Sequence, residues 1–250
     1  MRHYGIDLAE AAEHDLERYA TFNAFFTRAL REGARPIAPE TDALSSPVDG
    51  AVSQIGVIDG GALVQAKGMS YSVAALLGGE ERAAQFAGGS FATLYLSPRD
   101  YHRIHMPVDG VLLETAYIPG RLFSVAAGTV RTIPNLFARN ERMAAIFATP
   151  AGPMALVMVG ALNVGSIETV WSGEVTPRPV RAPETLPYVK GDVHLARGEE
   201  MGRFNLGSTV ILLFSRDRVE WRGDLAPESR VRVGERIGGL CAAAAMPSRT

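Results

Sequence analysis

Phe204-Asn205-Leu206-Gly207-Ser208-Thr209-Val210-Ile211 joins a small-residue Gly-Ser step to an apolar run that continues to Phe214. From Thr209 onward the run is β-branched and aliphatic, with glycine at its mouth, and predicts a strand. Working outward, short alternating or apolar runs recur at Val48 to Val57, Phe91 to Leu96, Gly110 to Ile118, Met143 to Ala148, Met154 to Val164 and Thr169 to Val175. Gly and Pro bound them, which predicts further strands. Helices are predicted at Ser72 to Leu77 and at Glu80 to Gln85. Leu16, Tyr19, Phe22, Phe26 and Leu30 recur at spacings of three and four, predicting one or two amphipathic helices within Leu8 to Arg31, ended by Gly33 and Pro36. That stripe is expected to pack into a core. The Pro-rich piece Thr176 to Pro187 reads as a loop. The expectation is an α+β fold: a strand-rich core of mostly antiparallel sheet with an N-terminal helical segment.

The chain has 250 residues, 47% of them hydrophobic, and a formal net charge of −2. That is ample material for a core, with no basic excess pointing to nucleic acid. Cys241 is the single cysteine, so no intrachain disulfide can form, which suits a reducing cytosol. No signal-peptide pattern is read, and the longest apolar stretch, Met154 to Val164, is too short to span a bilayer. Any membrane contact is expected to be peripheral. No internal repeat, linker or firm boundary divides residues 1–250, which read as a single domain.

The Gly-Ser step also has a chemical reading. Without a Cβ, Gly207 lets the Ser208 hydroxyl approach its carbonyl closely. Attack there would turn the peptide into an ester, and β-elimination followed by hydrolysis would leave an N-terminal pyruvoyl group, a carbonyl electron sink. Gly-Ser is equally an ordinary turn signal and recurs at Gly89-Ser90 and Gly165-Ser166, so company is needed. Two segments supply it. In Tyr95-Leu-Ser-Pro-Arg-Asp-Tyr-His-Arg-Ile-His-Met-Pro107, His102 and His105 stand three apart, and imidazole accepts and returns protons near neutral pH. His-x-x-His can also ligate zinc, but no Glu-x-x-His or Cys-x-x-Cys accompanies it, so no metal is expected. In Ser46-Pro-Val-Asp-Gly50, Asp49 stands in a tight turn before an alternating run. Acid, histidine and serine together match the nucleophile, base and orienting group of a triad, although their convergence is a matter of folding.

These segments, with Gln65-Ala-Lys-Gly68, Val130-Arg-Thr-Ile-Pro-Asn-Leu-Phe-Ala-Arg-Asn-Glu-Arg142, Val164-Gly-Ser-Ile-Glu-Thr-Val-Trp171 and Gly198-Glu-Glu-Met-Gly-Arg-Phe-Asn-Leu-Gly-Ser-Thr209, resemble those of bacterial phosphatidylserine decarboxylases, in order, from about Thr21 to the end. The resemblance implies a pyruvoyl enzyme that converts phosphatidylserine to phosphatidylethanolamine and CO2. It implies that Asp49, His105 and Ser208 drive self-cleavage between Gly207 and Ser208, with His105 as base and Asp49 holding its imidazole. A β chain of residues 1–207 and an α chain of residues 208–250 would result, and the covalent cofactor would be a pyruvoyl group formed from Ser208. His102 is the candidate for protonating the decarboxylated carbon, with His105 serving twice as the alternative. The resemblance further implies a homodimer, peripheral on the cytoplasmic face of the bacterial inner membrane. Family members begin with a longer amino-terminal stretch that helps them rest on the membrane, and this chain lacks most of it.

Other segments stay open on sequence alone. Leu122, Phe123 and Val125, after Gly120, could meet an acyl chain or fill a buried loop. Arg103, Arg131, Arg139 and Arg142 could meet a phosphate, though a solvated or carboxylate-paired arginine is the default. Three rival functions also remain: a pyruvoyl decarboxylase of a soluble amino acid, a serine hydrolase that keeps Ser208 in an intact chain, and a binding or carrier module. A carrier would present a modifiable lysine in its carboxy-terminal hairpins, whereas Lys67 and Lys190 are the only lysines.

Overall fold

The computed structural model describes residues 8–162, 166–176, 178–189, 191–205 and 208–241, with only the backbone of Ser208. Its centre is a nine-stranded antiparallel sheet. In chain order the strands are β1 (Gly50–Val57), β2 (Ser90–Leu96), β3 (Gly110–Ile118), β4 (Arg142–Thr149), β5 (Gly152–Val159), β6 (Glu184–Pro187), β7 (His194–Leu195), β8 (Ser208–Phe214) and β9 (Arg230–Val231). Across the sheet they lie in the order β6, β3, β4, β5, β8, β2, β1, β9, with β7 also on β3. The expected strand-rich, mostly antiparallel α+β architecture is the one observed.

Strand β8 is central because both its faces are apolar. Val210, Leu212 and Phe214 enter one buried cluster with Leu94, Leu96 and Met158, while Ile211 and Leu213 enter another with Phe91, Val157 and Val159. Alternate residues of a strand point to opposite faces, so an unbroken apolar run requires cover on both sides. On the first face that cover comes from two smaller sheets. One orders Gly173–Glu174, Ile167–Thr169, Glu200–Phe204 and Arg103–His105; the other orders Ala43–Ser45, Arg236–Leu240 and Val219–Trp221. On the second face it comes from the hairpin Ala62–Ala66/Met69–Ser72 and short helices.

Apart from α1 (Phe22–Phe26), which sets Phe26 against His102 of the site described below, those helices are α2 (Val73–Leu77), α3 (Glu80–Ala84), α4 (Ala127–Val130) and α5 (Leu136–Arg139). The predicted helices at residues 72 and 80 are present. Ser72 caps α2 by accepting from Ala75 N, and Gly78 ends it in the left-handed region at φ 71°. Buried Gln65 ties α4 to α5: its Nε2 donates to the carbonyls of Val130 and Ile133, and its Oε1 accepts from Leu136 N.

Three local expectations need correction. The N-terminal region forms only a 3-10 turn at Leu16–Arg18 and the five-residue α1, and Leu16 and Phe22 face outward while Phe25 and Phe26 are buried. Residues 169 to 175 are not one strand; Ile167–Thr169 turns back onto Gly173–Glu174. The end of the Pro-rich segment is the edge strand β6, where Pro187 is tolerated because a sheet edge leaves one side of the ladder free.

Candidate active site

The site is assembled where β1, β2 and β8 end side by side. Ser208 pairs with Leu96 of β2, and Tyr95 pairs with Ala51 of β1. After Leu96 the chain turns sharply because Asp100 Oδ2 accepts from both Ser97 N and Ser97 Oγ, each at 2.7 Å. Asp100 N in turn donates to the Ser97 carbonyl at 2.9 Å, and this closed turn delivers Tyr101 to His105 beside the strand ends.

His102 is fully buried, and its ring centroid lies 3.9 Å from that of Phe26. Nδ1 donates to the Asp100 carbonyl at 2.8 Å, while buried Nε2 has no partner among the described residues. Burial penalises the charged imidazolium and pulls the pKa down to about 4. The ring is therefore neutral at pH 7, with its proton on Nδ1 and a bare lone pair on Nε2.

His105 lies on the short strand Arg103–His105, paired with Glu200–Phe204. Its Nδ1 donates to the Gly198 carbonyl at 2.8 Å, and Nε2 accepts from the Tyr101 hydroxyl at 3.1 Å. Burial lowers its pKa too, opposed by the Gly198 hydrogen bond and the charges of Glu200 and Asp49. Its backbone N donates to the Pro47 carbonyl at 2.9 Å, which joins this segment to the Pro-Val-Asp-Gly turn.

Asp49 is gripped by Arg35, whose Nε reaches Oδ1 at 2.9 Å and whose Nη2 bonds Oδ2; Val233 N adds a bond to Oδ1 at 2.8 Å. Gly50 allows the turn to press on β2, because a Cβ there would stand 2.4 Å from the Tyr95 carbonyl oxygen. Asp49 and His105 thus share one region without a hydrogen bond between their side chains. The tautomer-fixing position at Nδ1, expected for Asp49, is held by the Gly198 carbonyl.

The approach to the Gly-Ser step is pinned from three sides. Phe204 N donates to the His102 carbonyl, Asn205 N to the Ser166 carbonyl, and Asn23 Nδ2 to Asn205 Oδ1. Gly207 lies outside the described residues, and so does any contact of the Ser208 side chain.

Sequence reasoning missed Arg35, Tyr101 and Phe26 as parts of this region. Arg35 sits in an Ala-Arg-Pro stretch that signals only a helix stop, and Phe26 belongs to a stripe that reads as core. Of the arginines weighed for phosphate, Arg142 is buried against the carbonyls of Ala75, Leu76 and Asn140, and Arg103 bonds Glu200 and the Thr27 carbonyl. Arg139 lies over the Phe123 ring, and Arg131 is exposed. In the Leu122 to Val125 loop Val125 is buried and Leu122 exposed, while Asn140 holds both the N–H and the carbonyl of Phe123.

Comparison with known proteins bears on this arrangement. Residues 22–239 match the family model described as phosphatidylserine decarboxylase. A phosphatidylserine decarboxylase proenzyme of Pseudomonas fluorescens is 56% identical over 241 residues, covering 95% of this chain and 83% of the relative. The corresponding proenzyme of Nitrosococcus oceani is 55% identical over 245 residues, covering 97% and 80%. That of Bordetella pertussis is 55% identical over 240 residues, covering 95% and 81%. The chain belongs to the phosphatidylserine decarboxylase family.

Proposed function

We propose that this chain removes the carboxyl group of phosphatidylserine as CO2, leaving phosphatidylethanolamine, after cutting itself between Gly207 and Ser208. The observation that carries the reading is the orphaned Nε2 of His102, buried on the segment that follows the strand partner of residue 208. A buried polar atom without a partner costs stability unless something bonds it in the working state. A pyruvoyl group at residue 208 would supply a ketone that draws off the electron pair left when CO2 departs. The surroundings fit such a group: a neutral imidazole with a free lone pair, walled by Phe26, at the end of a rigid strand.

In maturation His105 takes the proton of the Ser208 hydroxyl as its oxygen attacks the Gly207 carbonyl, and the C–N bond gives way to an ester. Elimination across that ester frees the Gly207 carboxylate, and hydrolysis with loss of ammonia leaves the carbonyl at residue 208. Asp49 acts through its field, which favours the charged form of His105, and not through direct contact. The products are a β chain of residues 1–207 and an α chain of residues 208–250, held as one domain because β8 is bonded to β2 and β5 on either side. In turnover, His102 delivers a proton to Cα once CO2 has left.

The lipid substrate also calls for a membrane surface. No helix among the described residues is long and apolar enough to cross a bilayer. Phe22 and Leu162 are more than three-fifths exposed, and Leu122 about two-fifths. Phe22 precedes Asn23, which bonds Asn205, and Leu122 abuts Gly160, which follows β5. These apolar side chains surround the end of β8, so we place the peripheral docking face there, on the cytoplasmic side of the inner membrane, with a homodimer as the assembled form.

Intact mass under denaturing conditions tests the central claim. The expected result is two fragments parting between residues 207 and 208, the smaller one lighter than its encoded mass by the change from serine to pyruvoyl. A single unmodified chain after long incubation at neutral pH would overturn it.

A further inference from the structure

Beside Asp49 lies a cleft of about 320 Å³ lined by five arginines and three carboxylates. The carboxylates are all taken: Asp49 by Arg35, Glu10 by Arg35 and Arg232, and Asp100 by Arg230. Two arginines are left over. Arg99 is exposed, with no ion pair or hydrogen bond among the described residues, and Arg28 is only 6% exposed yet has no carboxylate partner. Buried Nε of Arg28 lacks any hydrogen-bond partner; the guanidinium lies over the Phe25 ring, 5.3 Å from its carbon, and feels the charge of Asp49 without an ion pair to it. An unpaired buried cation is costly, so a fold that keeps one beside its reactive centre has a use for an anion there.

We propose that Arg28 and Arg99 bind a phosphate-type oxyanion, the phosphodiester of the lipid headgroup, while the headgroup amine reaches residue 208; the assignment rests on the decarboxylase reading above. Adjacent strands lie about 4.8 Å apart, so residue 208 on β8 and Ala51 on β1, with β2 between them, are separated by roughly 10 Å. The Ser97 to Asp100 turn that carries Arg99 follows directly from Leu96, the strand partner of residue 208. In a serine headgroup the phosphodiester is only a few bonds from the amine, about half this spacing, and the length of an arginine side chain covers the remainder. A planar guanidinium meets two phosphate oxygens at once. The substrate carboxylate is the wrong anion for the cleft: arginines clamped on it would stabilise the ground state and oppose loss of CO2.

Glycerophosphoethanolamine, which carries the phosphodiester and no carboxylate, is the direct probe, titrated calorimetrically into the full-length self-processed protein alongside inorganic phosphate. Binding of the diester is expected to weaken about tenfold or more in Arg28→Lys and in Arg99→Gln, the scale of a lost charge-assisted hydrogen bond. KM for phosphatidylserine should rise more than kcat falls. Arg99 is exposed, so Arg99→Gln keeps the test readable even if Arg28→Lys does not fold. Undiminished diester binding in Arg99→Gln overturns the proposal, as does a cleft that takes inorganic phosphate but not the diester. A wild-type chain that binds the diester through these arginines yet releases no CO2 from phosphatidylserine would instead sink the decarboxylase reading and leave the site standing.

Discussion

Phe26 lies against His102 with ring centroids 3.9 Å apart, and this contact closes the imidazole off from water. Its consequence is a pH-dependent stability. The folded pKa of about 4 lies below the ordinary 6.5, so between those values the unfolded chain binds the extra proton. Stability from this group is full above about 6.5 and is lost as pH falls towards about 4, by about 3 kcal/mol in all. Chemical denaturation at a series of pH values should show that slope in wild type, and His102→Gln should flatten it.

The grip of Arg35 on Asp49 unites two side chains that are each 10% exposed. Breaking such a pair from one side leaves a buried charge uncompensated, at a cost of about 3–5 kcal/mol. Arg35→Met should therefore lower the melting temperature and slow self-cleavage together, as followed by calorimetry and by gel. A variant that melts like wild type would show the pair to be dispensable.

Tyr101 occupies the Nε2 lone pair of His105, the same lone pair that must receive the Ser208 proton. Tyr101→Phe removes a competitor and costs about 1 kcal/mol of stability. The expected outcome is self-cleavage at least as fast as in wild type. Arrested cleavage in a folded variant would place the phenol in the proton path instead.

Arg142 is expected to be scaffold. Its guanidinium satisfies the carbonyls of Ala75 and Leu76 at the end of α2 and that of Asn140, and burial alone pulls its pKa down to about 10. Arg142→Met strands those carbonyls, at about 1–3 kcal/mol each where they stay buried. Thermal stability should fall while KM for phosphatidylserine in the folded fraction stays near wild type.

The sequence by itself determined the features that act over a few residues. The short, β-branched, apolar run Thr209 to Phe214 predicts a strand covered on both faces, and Ser72 and Gly78 cap α2 with their own side chain and backbone freedom. The residues of the candidate site were legible through the family resemblance of the segments that carry Asp49, His102 and His105, since each segment alone also reads as ordinary turn or strand. Only the tertiary structure decided what each of them touches. Val233 N reaches Asp49 from 184 positions away and the Gly198 carbonyl reaches His105 from 93. It also decided which members of the N-terminal stripe are buried: Phe26 packs against His102, while Phe22 and Leu16 stay exposed. The physical reason is one of range. Propensity and periodicity are set by neighbours along the chain, whereas hydrogen-bond partners and desolvation, and hence the pKa of His102, depend on groups that meet only when the sheets close over one another.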